Sequence, residues 1–407
     1  MTLKKWQNRT FWLLWITYAS FYLGRVNLSV ALPGIMREFN WTRADVGAIG
    51  TALFWAYAIG QFVNGLVGDR VGARVMVTIG LVVSAIMNLV FAGQITLVMF
   101  VAVWAINGYA QAMGWGPIVK TLANWFPSNQ RGKMSGRLGT CYILGGALSV
   151  ALAGFVVSQA DDWRAIFIVP SGLLVISVIH WYLRVQNSPE NVGLPPVETV
   201  EGRESLGLSW RKSVGNLNVW LMGTGLFFIN IVRYGFLTWA ATYLFEVQGA
   251  TIAKAAYSSI LFPVAGAGGA LLAGWASDRL FKSKRAPVAC ICLLLAGVLC
   301  WVYRFLVPVN QWVLGLAVLA SIGFFVFGSH VLVVGAAPMD YGTRKAASAA
   351  TGLIDSLGYV GAGLTSVGTG ILVDRWGWNA GFTMWVVAAF LAAGVMLPLI
   401  VRERKQR

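Results

Sequence analysis

Residues 21–27 read Phe-Tyr-Leu-Gly-Arg-Val-Asn, and residues 229–235 read Ile-Asn-Ile-Val-Arg-Tyr-Gly. Each segment places one arginine, Arg25 or Arg233, near the middle of a long apolar stretch. A guanidinium at the centre of a bilayer costs about 3 kcal/mol on insertion scales, so it is retained where it faces a partner or a polar cavity. The two arginines lie 208 positions apart in a chain of 407 residues. We therefore expect one arginine in each half of the protein and a single anion between them.

The composition is that of a membrane protein. Hydrophobic residues make up 57% of the chain and charged residues 11%, and the mean hydropathy is +0.69. Soluble domains carry about 25% charged residues. A spanning helix needs about 20 mostly apolar residues, and long unbroken apolar runs exclude a β-barrel. The sequence thus predicts an all-α membrane protein with twelve transmembrane helices. They begin near Phe11, Val46, Val75, Leu97, Lys133, Ala165, Leu217, Ile252, Ala286, Trp312, Ala346 and Phe382.

The distribution of basic residues predicts how the chain is oriented. The net charge is +16, and lysines and arginines concentrate in the cytoplasmic loops of membrane proteins. Here they fall mainly in the termini and in the loops after even-numbered spans, which puts both termini in the cytoplasm. The basic start runs into a full-length span, so the first helix is expected to be the insertion signal. The positive charge is assigned to the lipid bilayer and not to nucleic acid.

The sequence offers no pattern typical of a cofactor site or an enzyme. No GxxxxGK phosphate loop precedes a helix, and no nucleophile–base pair stands out. The two histidines, His180 and His330, are too far apart to suggest a metal motif. We therefore expect no cofactor, no metal and no catalytic site, and any transport must be secondary. The cysteines are interpreted as small core residues; they are Cys141, Cys290, Cys292 and Cys300.

Short motifs of the first half recur in the second half at offsets between 208 and 215. The matched pairs are Arg25 with Arg233, Asp69 with Asp278, Arg131 with Arg344, and Trp163 with Trp378. Four matches in the same order indicate a duplication. We expect two pseudo-symmetric six-helix bundles, residues 1–185 and 217–407, joined by a cytoplasmic loop over residues 186–216. Such halves are typical of transporters that bind the substrate between the repeats and expose it by a rocking motion.

Residues 65–74 read Gly-Leu-Val-Gly-Asp-Arg-Val-Gly-Ala-Arg, and residues 274–279 keep a partial copy, Gly-Trp-Ala-Ser-Asp-Arg. The first segment resembles the signature loop of the major facilitator superfamily. In that superfamily the loop latches the cytoplasmic side through charge contacts and helix ends. The resemblance implies the major facilitator fold. The residues that it assigns to the gating loops are Asp69, Arg70, Arg74, Asp278 and Arg279.

A narrower resemblance covers nearly the whole chain. Residues 21–27, 111–117 and 358–361 and the Arg233-Tyr234-Gly235 triplet look like the organophosphate:phosphate antiporters, which include glycerol-3-phosphate and hexose-phosphate carriers. In that family the arginines of the first and seventh helices bind the phosphoryl group, and they match Arg25 and Arg233. An arginine fork donates to phosphate oxygens in a bidentate manner. The resemblance implies exchange for inorganic phosphate across a bacterial cytoplasmic (inner) membrane.

Three cations of the family's glycerol-phosphate and hexose-phosphate members are absent from this chain. Where those members carry a lysine after the first arginine, a lysine in the second helix and a histidine in the fifth, this chain has Val26, Gln61 and Tyr142. Asp355 stands in the eleventh helix where the family often has a small residue, and the repeat places it opposite Tyr142. The ligand is therefore expected to carry less negative charge than a sugar phosphate, or to carry a positive group as well.

The sequence leaves several interpretations of these residues open. Asp355 is a proton or cation coupling site, a contact to an amine or quaternary ammonium of the substrate, or a partner that neutralises an arginine in the empty protein. His330 is a substrate contact, a proton carrier or a packed core residue. For the remaining candidates helix packing is the alternative to lining the cavity. They are Tyr22, Tyr57, Tyr142, Asn230, Tyr234, Tyr359, Trp115 and Gln61.

The chain is thus expected to be a secondary active transporter of a small organic phosphate or phosphonate, in exchange for inorganic phosphate. Arg25 and Arg233 would clamp the anion between two rocking halves. One alternative is a proton-coupled organic-anion symporter with Asp355 as the proton site, and another is a membrane sensor of sugar phosphates. The expected partners are the organic phosphate, inorganic phosphate and the lipid bilayer, and the protein is expected to be a monomer.

Overall fold

The computed structural model describes residues 2–160, 162–197, 214–282, 284–308, 311–336 and 347–405. Side chains in these ranges are described except at residues 65–70, 128–129, 131–133, 335–336, 347–349 and 403–405. All regular elements in these ranges are helical, because a helix satisfies its own backbone polar groups in lipid. The α-helices are α1 (Leu3–Leu23), α2 (Leu28–Phe39), α3 (Arg43–Val71), α4 (Ala73–Ala92), α5 (Leu97–Gln111), α6 (Trp115–Trp125), α7 (Ser128–Ala160), α8 (Ala165–Arg184), α9 (Leu217–Glu246), α10 (Ile252–Ser259), α11 (Leu261–Arg279), α12 (Arg285–Phe305), α13 (Trp312–Val331), α14 (Ala347–Trp376) and α15 (Trp378–Lys405).

The helices match the twelve spans expected from the sequence. Eleven segments of the described chain are long and apolar enough to cross a membrane. The twelfth consists of α1 and α2, which hold 21 and 12 residues and follow one another closely. We refer to residues 2–197 as the first half and to residues 214–405 as the second half. The bundle limits at residues 185 and 217 stay a prediction, and residues 198–213 of the connecting loop lie outside the described ranges.

Several spans are interrupted, which hydropathy did not predict. The first span breaks at residues 24–27, the fourth at residues 112–114, and the eighth at Ile260, while a π-helical turn, Leu332–Ala336, follows α13. Membrane helices tolerate such breaks where neighbouring side chains satisfy the freed backbone groups or where the backbone lines a cavity. The break in the first span contains Arg25, so the guanidinium starts from irregular backbone and not from a regular helix.

A buried polar network holds this break in place. The carbonyl oxygen of Gly24 accepts hydrogen bonds from the side-chain amides of Asn88 (3.1 Å) and Asn107 (2.9 Å). The Ser84 hydroxyl donates to the Asn107 carbonyl oxygen at 2.7 Å, so the second amide is itself oriented. A Cβ on Gly24 would lie 2.8 Å from the Asn88 amide nitrogen, so the close packing of the break requires glycine here. The network therefore fixes the backbone that carries Arg25.

The buried apolar side chains form three clusters that show where the halves meet. One cluster, with Leu14 and Leu81, belongs to the first half, and a second, with Leu226 and Leu293, belongs to the second half. The third contains residues of both halves, among them Ile49. Because the number of spans is even, both termini lie at one end of the molecule, here called the terminal end. The shared cluster includes α2 and the start of α3, so it lies toward the other end, here called the opposite end.

Polar contacts reinforce the junction at the opposite end. The Arg43 guanidinium bonds to the Glu246 carboxylate at 2.9 Å and to the Asp374 carboxylate at 3.0 Å. The Thr51 hydroxyl donates to the carbonyl oxygen of Gly363 at 2.7 Å. Arg43 and Thr51 belong to α3, whereas the acceptors belong to α9 and α14 of the second half. These contacts bind the halves together on the side away from the termini.

The cysteine prediction is confirmed, because all four cysteines are buried and free.

The loop between α3 and α4 depends on Gly72, whose φ of 83° is favourable only for glycine. The side chains of residues 131–133 and the backbone of residues 337–346 lie outside the described parts. The recurrence of Arg131 at Arg344 is therefore a sequence observation only.

Candidate functional site

Arg25 lies in the break of the first span and is only 6% exposed. Its guanidinium carbon lies 4.2 Å from the ring centre of Tyr57, 5.3 Å from that of Tyr22 and 5.4 Å from that of Tyr359. Aromatic faces attract a cation without neutralising its charge. The Nη2 atom of Arg25 is buried and has no hydrogen-bond partner. Three tyrosine rings thus surround the Arg25 guanidinium, and one of its hydrogen-bond donors remains without an acceptor.

Arg233 lies in the middle of α9 and is 4% exposed. Its guanidinium carbon lies 4.8 Å from the ring centres of Tyr234 and Phe327 and 5.8 Å from that of Tyr142. Its Nη1 atom lies 3.4 Å from Nε2 of His330. The Nε atom of Arg233 is buried without a partner. The second guanidinium therefore has the same kind of surroundings as the first, plus one imidazole.

The contact between Arg233 and His330 fixes the form of the imidazole. A guanidinium nitrogen can only donate, so Nε2 of His330 must accept and the ring proton must sit on Nδ1. Nδ1 is buried and has no partner. A neutral histidine in this form presents a third unused donor, which suits an anionic ligand as well as a packed role. This contact gives His330 a defined place beside Arg233, which the sequence did not predict.

Carboxylates do not neutralise either arginine in the described part of the structure. Its ion pairs involve other arginines, Arg43 and Arg164. A structural ion pair between either arginine and a carboxylate therefore finds no support among the described side chains. Two buried cations that meet aromatic rings and not acids remain electrostatically available to an anion.

Tyrosines from each half reach the arginine of the other half. Tyr359 belongs to α14 yet lies over Arg25, and Tyr142 belongs to α7 yet lies over Arg233. The Tyr234 hydroxyl, next to Arg233, donates to the Tyr359 hydroxyl at 3.4 Å. The two arginines are therefore connected through shared tyrosines and belong to one site between the halves.

Gln61 and Trp115 lie behind these tyrosines. The Gln61 amide donates to the Tyr57 hydroxyl at 2.7 Å, so it orients the ring that lies closest to Arg25. The Trp115 ring, at the start of α6, lies 4.7 Å from the ring of Tyr18 and 6.4 Å from that of Tyr142. The structure places both residues against the aromatic layer. Their contact with a ligand stays a prediction.

Asp355 and Asn230 contribute acceptors at the same level of the molecule. Asp355 is half-buried on α14, one helical turn before Tyr359, and interacts electrostatically with Arg233. Among the described side chains no cation nitrogen lies within 4.0 Å of its carboxylate. Asn230 is 3% exposed, and its Oδ1 atom is buried without a partner. The site thus holds one acceptor without a partner, Oδ1 of Asn230, and one carboxylate without a described cation partner, beside its unmatched donors.

The gating residues are only partly described. Arg74 donates through Nε and Nη2 to the carbonyl oxygen of Tyr182, at 2.9 and 2.6 Å, so it ties α4 to the end of α8. That contact lies within the first half. Asp278 and Arg279 are exposed at the end of α11. The side chains of Asp69 and Arg70 lie outside the described ones, so the latch stays a prediction.

A hollow of about 590 Å³ lies in the second half, away from Arg25 and Arg233. Its walls are mainly apolar and belong to α9, α12, α14 and α15. One cation, Arg304, reaches it and bonds to the Thr383 hydroxyl at 2.5 Å. The hollow lacks the paired cations and the tyrosines that surround Arg25 and Arg233, so its chemistry does not match the anion site expected from the sequence.

Two groups of site residues escaped the sequence analysis. Phe327 lies three residues before His330, and Tyr18 lies four residues before Tyr22, so helical spacing alone could have placed both on the site face. The asparagines that hold the break, Asn88 and Asn107, carried no comparable signal. Their role depends on the backbone of another helix.

Comparison with known proteins agrees with this architecture. A family model described as Major Facilitator Superfamily matches residues 14–366. The chain is 32% identical to the glycerol-3-phosphate transporter of Bacillus subtilis, over 93% of this chain and 89% of that protein. It is 31% identical to the membrane sensor protein UhpC of Salmonella typhimurium, over 97% and 92%. A crystal structure of a bacterial homologue of the human lysosomal transporter Spinster has a similar fold. Its TM-score is 0.79 at 15% identity, with 96% of both chains covered.

The match to the family model spans most of the chain, and both relatives align along nearly their whole length. The chain belongs to the Major Facilitator Superfamily and, within it, to the organophosphate:phosphate antiporter family, whose members are membrane transporters and not enzymes.

Proposed function

We propose that this transporter exchanges a small organic phosphate or phosphonate for inorganic phosphate, and that Arg25 and Arg233 bind the phosphoryl group together. One observation carries the proposal. Both guanidiniums are buried, each retains a donor atom without a partner, and aromatic rings surround them in place of carboxylates. A phosphoryl group offers the oxygens that such donors require. The glycerol-3-phosphate transporter among the relatives supports the same ligand chemistry.

The anion would drive the conformational cycle by joining the halves. In the empty site two like charges, one in each half, repel each other across a region of low dielectric constant. A phosphoryl group between them replaces this repulsion by attraction to both, so the ligand favours the state in which the halves approach each other around it. The junction at Arg43 must open before the site can reach the opposite end. The binding energy of the ligand thus drives alternating access, because the halves approach each other only when the anion offsets the repulsion between Arg25 and Arg233.

We also infer the setting of the protein. The basic residues of the termini and even-numbered loops favour a cytoplasmic location of both termini in a bacterial inner membrane. The terminal end would then face the cytoplasm, and the Arg43 junction would close the other side. A monomer suffices, because both arginines of the site come from one chain.

Exchange in liposomes tests the proposal. Purified protein is reconstituted, the liposomes are loaded with unlabelled phosphate, and uptake of radiolabelled phosphate is measured. We expect rapid uptake that requires internal phosphate and does not require a pH gradient. Liposomes that lack internal phosphate should take up little label, because an exchanger returns only with cargo. The outcome that contradicts exchange is equal uptake with and without internal phosphate.

Two other functions would give different results in the same assay. The carboxylate of Asp355, which has no described cation partner, is the observation that favours a proton-coupled symporter. A symporter would fill empty liposomes when the outside is acidic, and Asp355→Asn would abolish that uptake. The relative named as a membrane sensor is the observation that favours sensing. A sensor would bind phosphate, detected as a raised unfolding temperature, and would transport label under none of these conditions.

A further inference from the structure

We propose that the organic ligand carries a primary ammonium group in addition to its phosphoryl group, and that Asp355 and Asn230 bind the ammonium. The inference rests on the proposed function, since Arg25 and Arg233 must hold the phosphoryl end. It deepens that function by naming the ligand class, a compact aminoalkyl phosphate or phosphonate.

The first step concerns an acceptor of the site that has no hydrogen-bond partner. Asn230 precedes Arg233 by almost one helical turn on α9, and its Oδ1 atom is buried without a hydrogen-bond partner. Burial of a carbonyl oxygen without a donor is unfavourable, so such an atom commonly meets a ligand or water. The ionised oxygens of a phosphoryl dianion cannot satisfy it, because they only accept hydrogen bonds. The ligand that fills this site must therefore bring donors as well as acceptors.

The second step is the position of Asp355 relative to Asn230. The Nδ2 atom of Asn230 lies against α14 at Gly358, where an added Cβ would come within 2.7 Å of it. Gly358 lies three residues after Asp355, so the two share one face of the helix. The amide of Asn230 and the carboxylate of Asp355 are therefore less than about two turns apart along the same surface. An ammonium group, which has three donors, suits an amide oxygen and a carboxylate together.

The third step is the aromatic surroundings. Tyr142 lies over Arg233 and interacts electrostatically with both Arg233 and Asp355, and Tyr359 follows Asp355 by four residues on α14. Tyrosine rings attract an ammonium group as they attract a guanidinium. The cationic end of a ligand would thus find a carboxylate, an amide oxygen and aromatic faces within reach of the phosphoryl clamp.

The fourth step is the charge of the loaded site. Two guanidiniums and one carboxylate leave one positive charge when His330 is neutral and Asp355 is ionised. A phosphoryl dianion with a neutral tail would give the occupied site a net negative charge. An aminoalkyl phosphate carries close to one net negative charge at neutral pH, since the second phosphate pKa is about 6. Inorganic phosphate as a monoanion carries the same charge. Both ligands therefore neutralise the site, which suits a site that must bind each in turn.

An ammonium ligand accounts for more of these observations than a proton on Asp355. A proton would neutralise the carboxylate and supply a single donor, whereas an ammonium group supplies three donors and a positive charge. The ammonium satisfies both acceptors at once. Val26 and Gln61 carry no charge, so neither residue opposes a cationic tail.

Competition between matched ligands tests the proposal in wild-type liposomes that exchange phosphate. O-phosphoethanolamine and ethyl phosphate share the same two-carbon chain, and only O-phosphoethanolamine carries an ammonium group at its end. We expect O-phosphoethanolamine to inhibit uptake of labelled phosphate at a concentration about tenfold lower, which corresponds to about 1.4 kcal/mol. O-phosphocholine, whose nitrogen cannot donate, should inhibit less well than O-phosphoethanolamine. Equal inhibition by O-phosphoethanolamine and ethyl phosphate overturns the proposal, even when phosphate exchange itself is rapid.

Variants assign the preference to Asp355. In Asp355→Asn the tenfold preference for O-phosphoethanolamine over ethyl phosphate should fall to nearly one. Asp162→Asn should retain this preference, because Asp162 lies at the protein surface with its side chain 50% exposed. Retention of the preference in Asp355→Asn overturns the assignment. If Asp355→Asn does not fold, Asp355→Glu is tested in its place. The preference of Asp355→Glu for O-phosphoethanolamine should also fall. If wild-type protein exchanges no phosphate, the proposed function fails. A thermal shift larger for O-phosphoethanolamine than for ethyl phosphate would then support the ligand class, and equal shifts would overturn it.

Discussion

At the scale of single residues, the site is defined by what surrounds its charges. Arg25 and Arg233 are buried, and tyrosine rings, with Phe327 at Arg233, take the positions that carboxylates hold in a structural ion pair. Aromatic contacts stabilise a buried guanidinium by about 0.5–2 kcal/mol and leave its hydrogen-bond donors free. Such surroundings leave both cations without a carboxylate that would compete with the proposed ligand.

Tyr57 tests this role of the rings. Its ring lies 4.2 Å from the Arg25 guanidinium, closer than any other ring around the two arginines. We expect Tyr57→Leu, which removes the aromatic face, to lower the unfolding temperature and the phosphate affinity more than Tyr57→Phe, which keeps the face and loses the hydroxyl. The measurement is the unfolding temperature of purified protein with and without phosphate. Equal losses in the two variants would show that the hydroxyl, and not the ring, supports Arg25.

Residue-scale features were predictable to different degrees. The two arginines, Asp355 and the tyrosine candidates were accessible from the sequence, because a polar residue in an apolar span has few possible roles. The contact of His330 with Arg233 was not, since it joins α13 to α9 and no spacing within one helix reports it. Asn230 was a candidate, but its unpartnered oxygen became visible only from the packing against Gly358.

At the scale of elements, the break between α1 and α2 is the feature that places Arg25. Long apolar runs predicted the spans well, because hydropathy reports length and burial in lipid. Hydropathy cannot report a break, because the residues that stabilise it come from other helices. Asn88 and Asn107 of α4 and α5 satisfy the Gly24 carbonyl. The sequence therefore predicted the first span but not its interruption.

Asn107→Leu tests whether the network supports the break. The change removes the 2.9 Å bond to the Gly24 carbonyl and leaves the Ser84 hydroxyl without its acceptor. We expect a loss of about 1–3 kcal/mol in the free energy of unfolding, together with slower phosphate exchange, because Arg25 follows Gly24 directly. Thermal unfolding and liposome exchange measure the two effects. Gln94→Leu is the control, since Gln94 bonds within its own helical turn to Val90. An unchanged stability of Asn107→Leu would contradict the role of the network.

At the scale of the whole molecule, the halves have separate cores toward the terminal end and a shared core toward the opposite end. The Arg43 junction with Glu246 and Asp374 reinforces the shared side. The internal repeat predicted two halves with a site between them. The repeat did not predict at which end of the molecule the two halves contact each other. A transporter adopts more than one arrangement of its halves, and one sequence must allow them all.

Loss of the Arg43 junction should open the opposite end. In Arg43→Ala both carboxylates lose their guanidinium partner, so the population should shift toward states in which the halves separate there. Ser366, buried at this junction, can be replaced by cysteine and labelled with a membrane-impermeant maleimide. We expect faster labelling when Ser366→Cys is combined with Arg43→Ala. Lys254→Ala is the control, because Lys254 stacks on Trp312 within the second half. Equal labelling rates with and without Arg43 would mean that this contact does not hold the junction.

The central claim is that one phosphoryl group joins the two halves through Arg25 and Arg233. Phosphate exchange by Arg25→Lys and by Arg233→Lys in liposomes tests it most directly, because lysine keeps the charge and removes the bidentate fork. We predict that each variant exchanges at least about tenfold more slowly than wild type, since a hydrogen bond to a charged group contributes about 1.5–3 kcal/mol. Arg164→Lys, a change in a surface ion pair with Glu38, should exchange at the wild-type rate. Wild-type exchange by either Arg25→Lys or Arg233→Lys would contradict the claim.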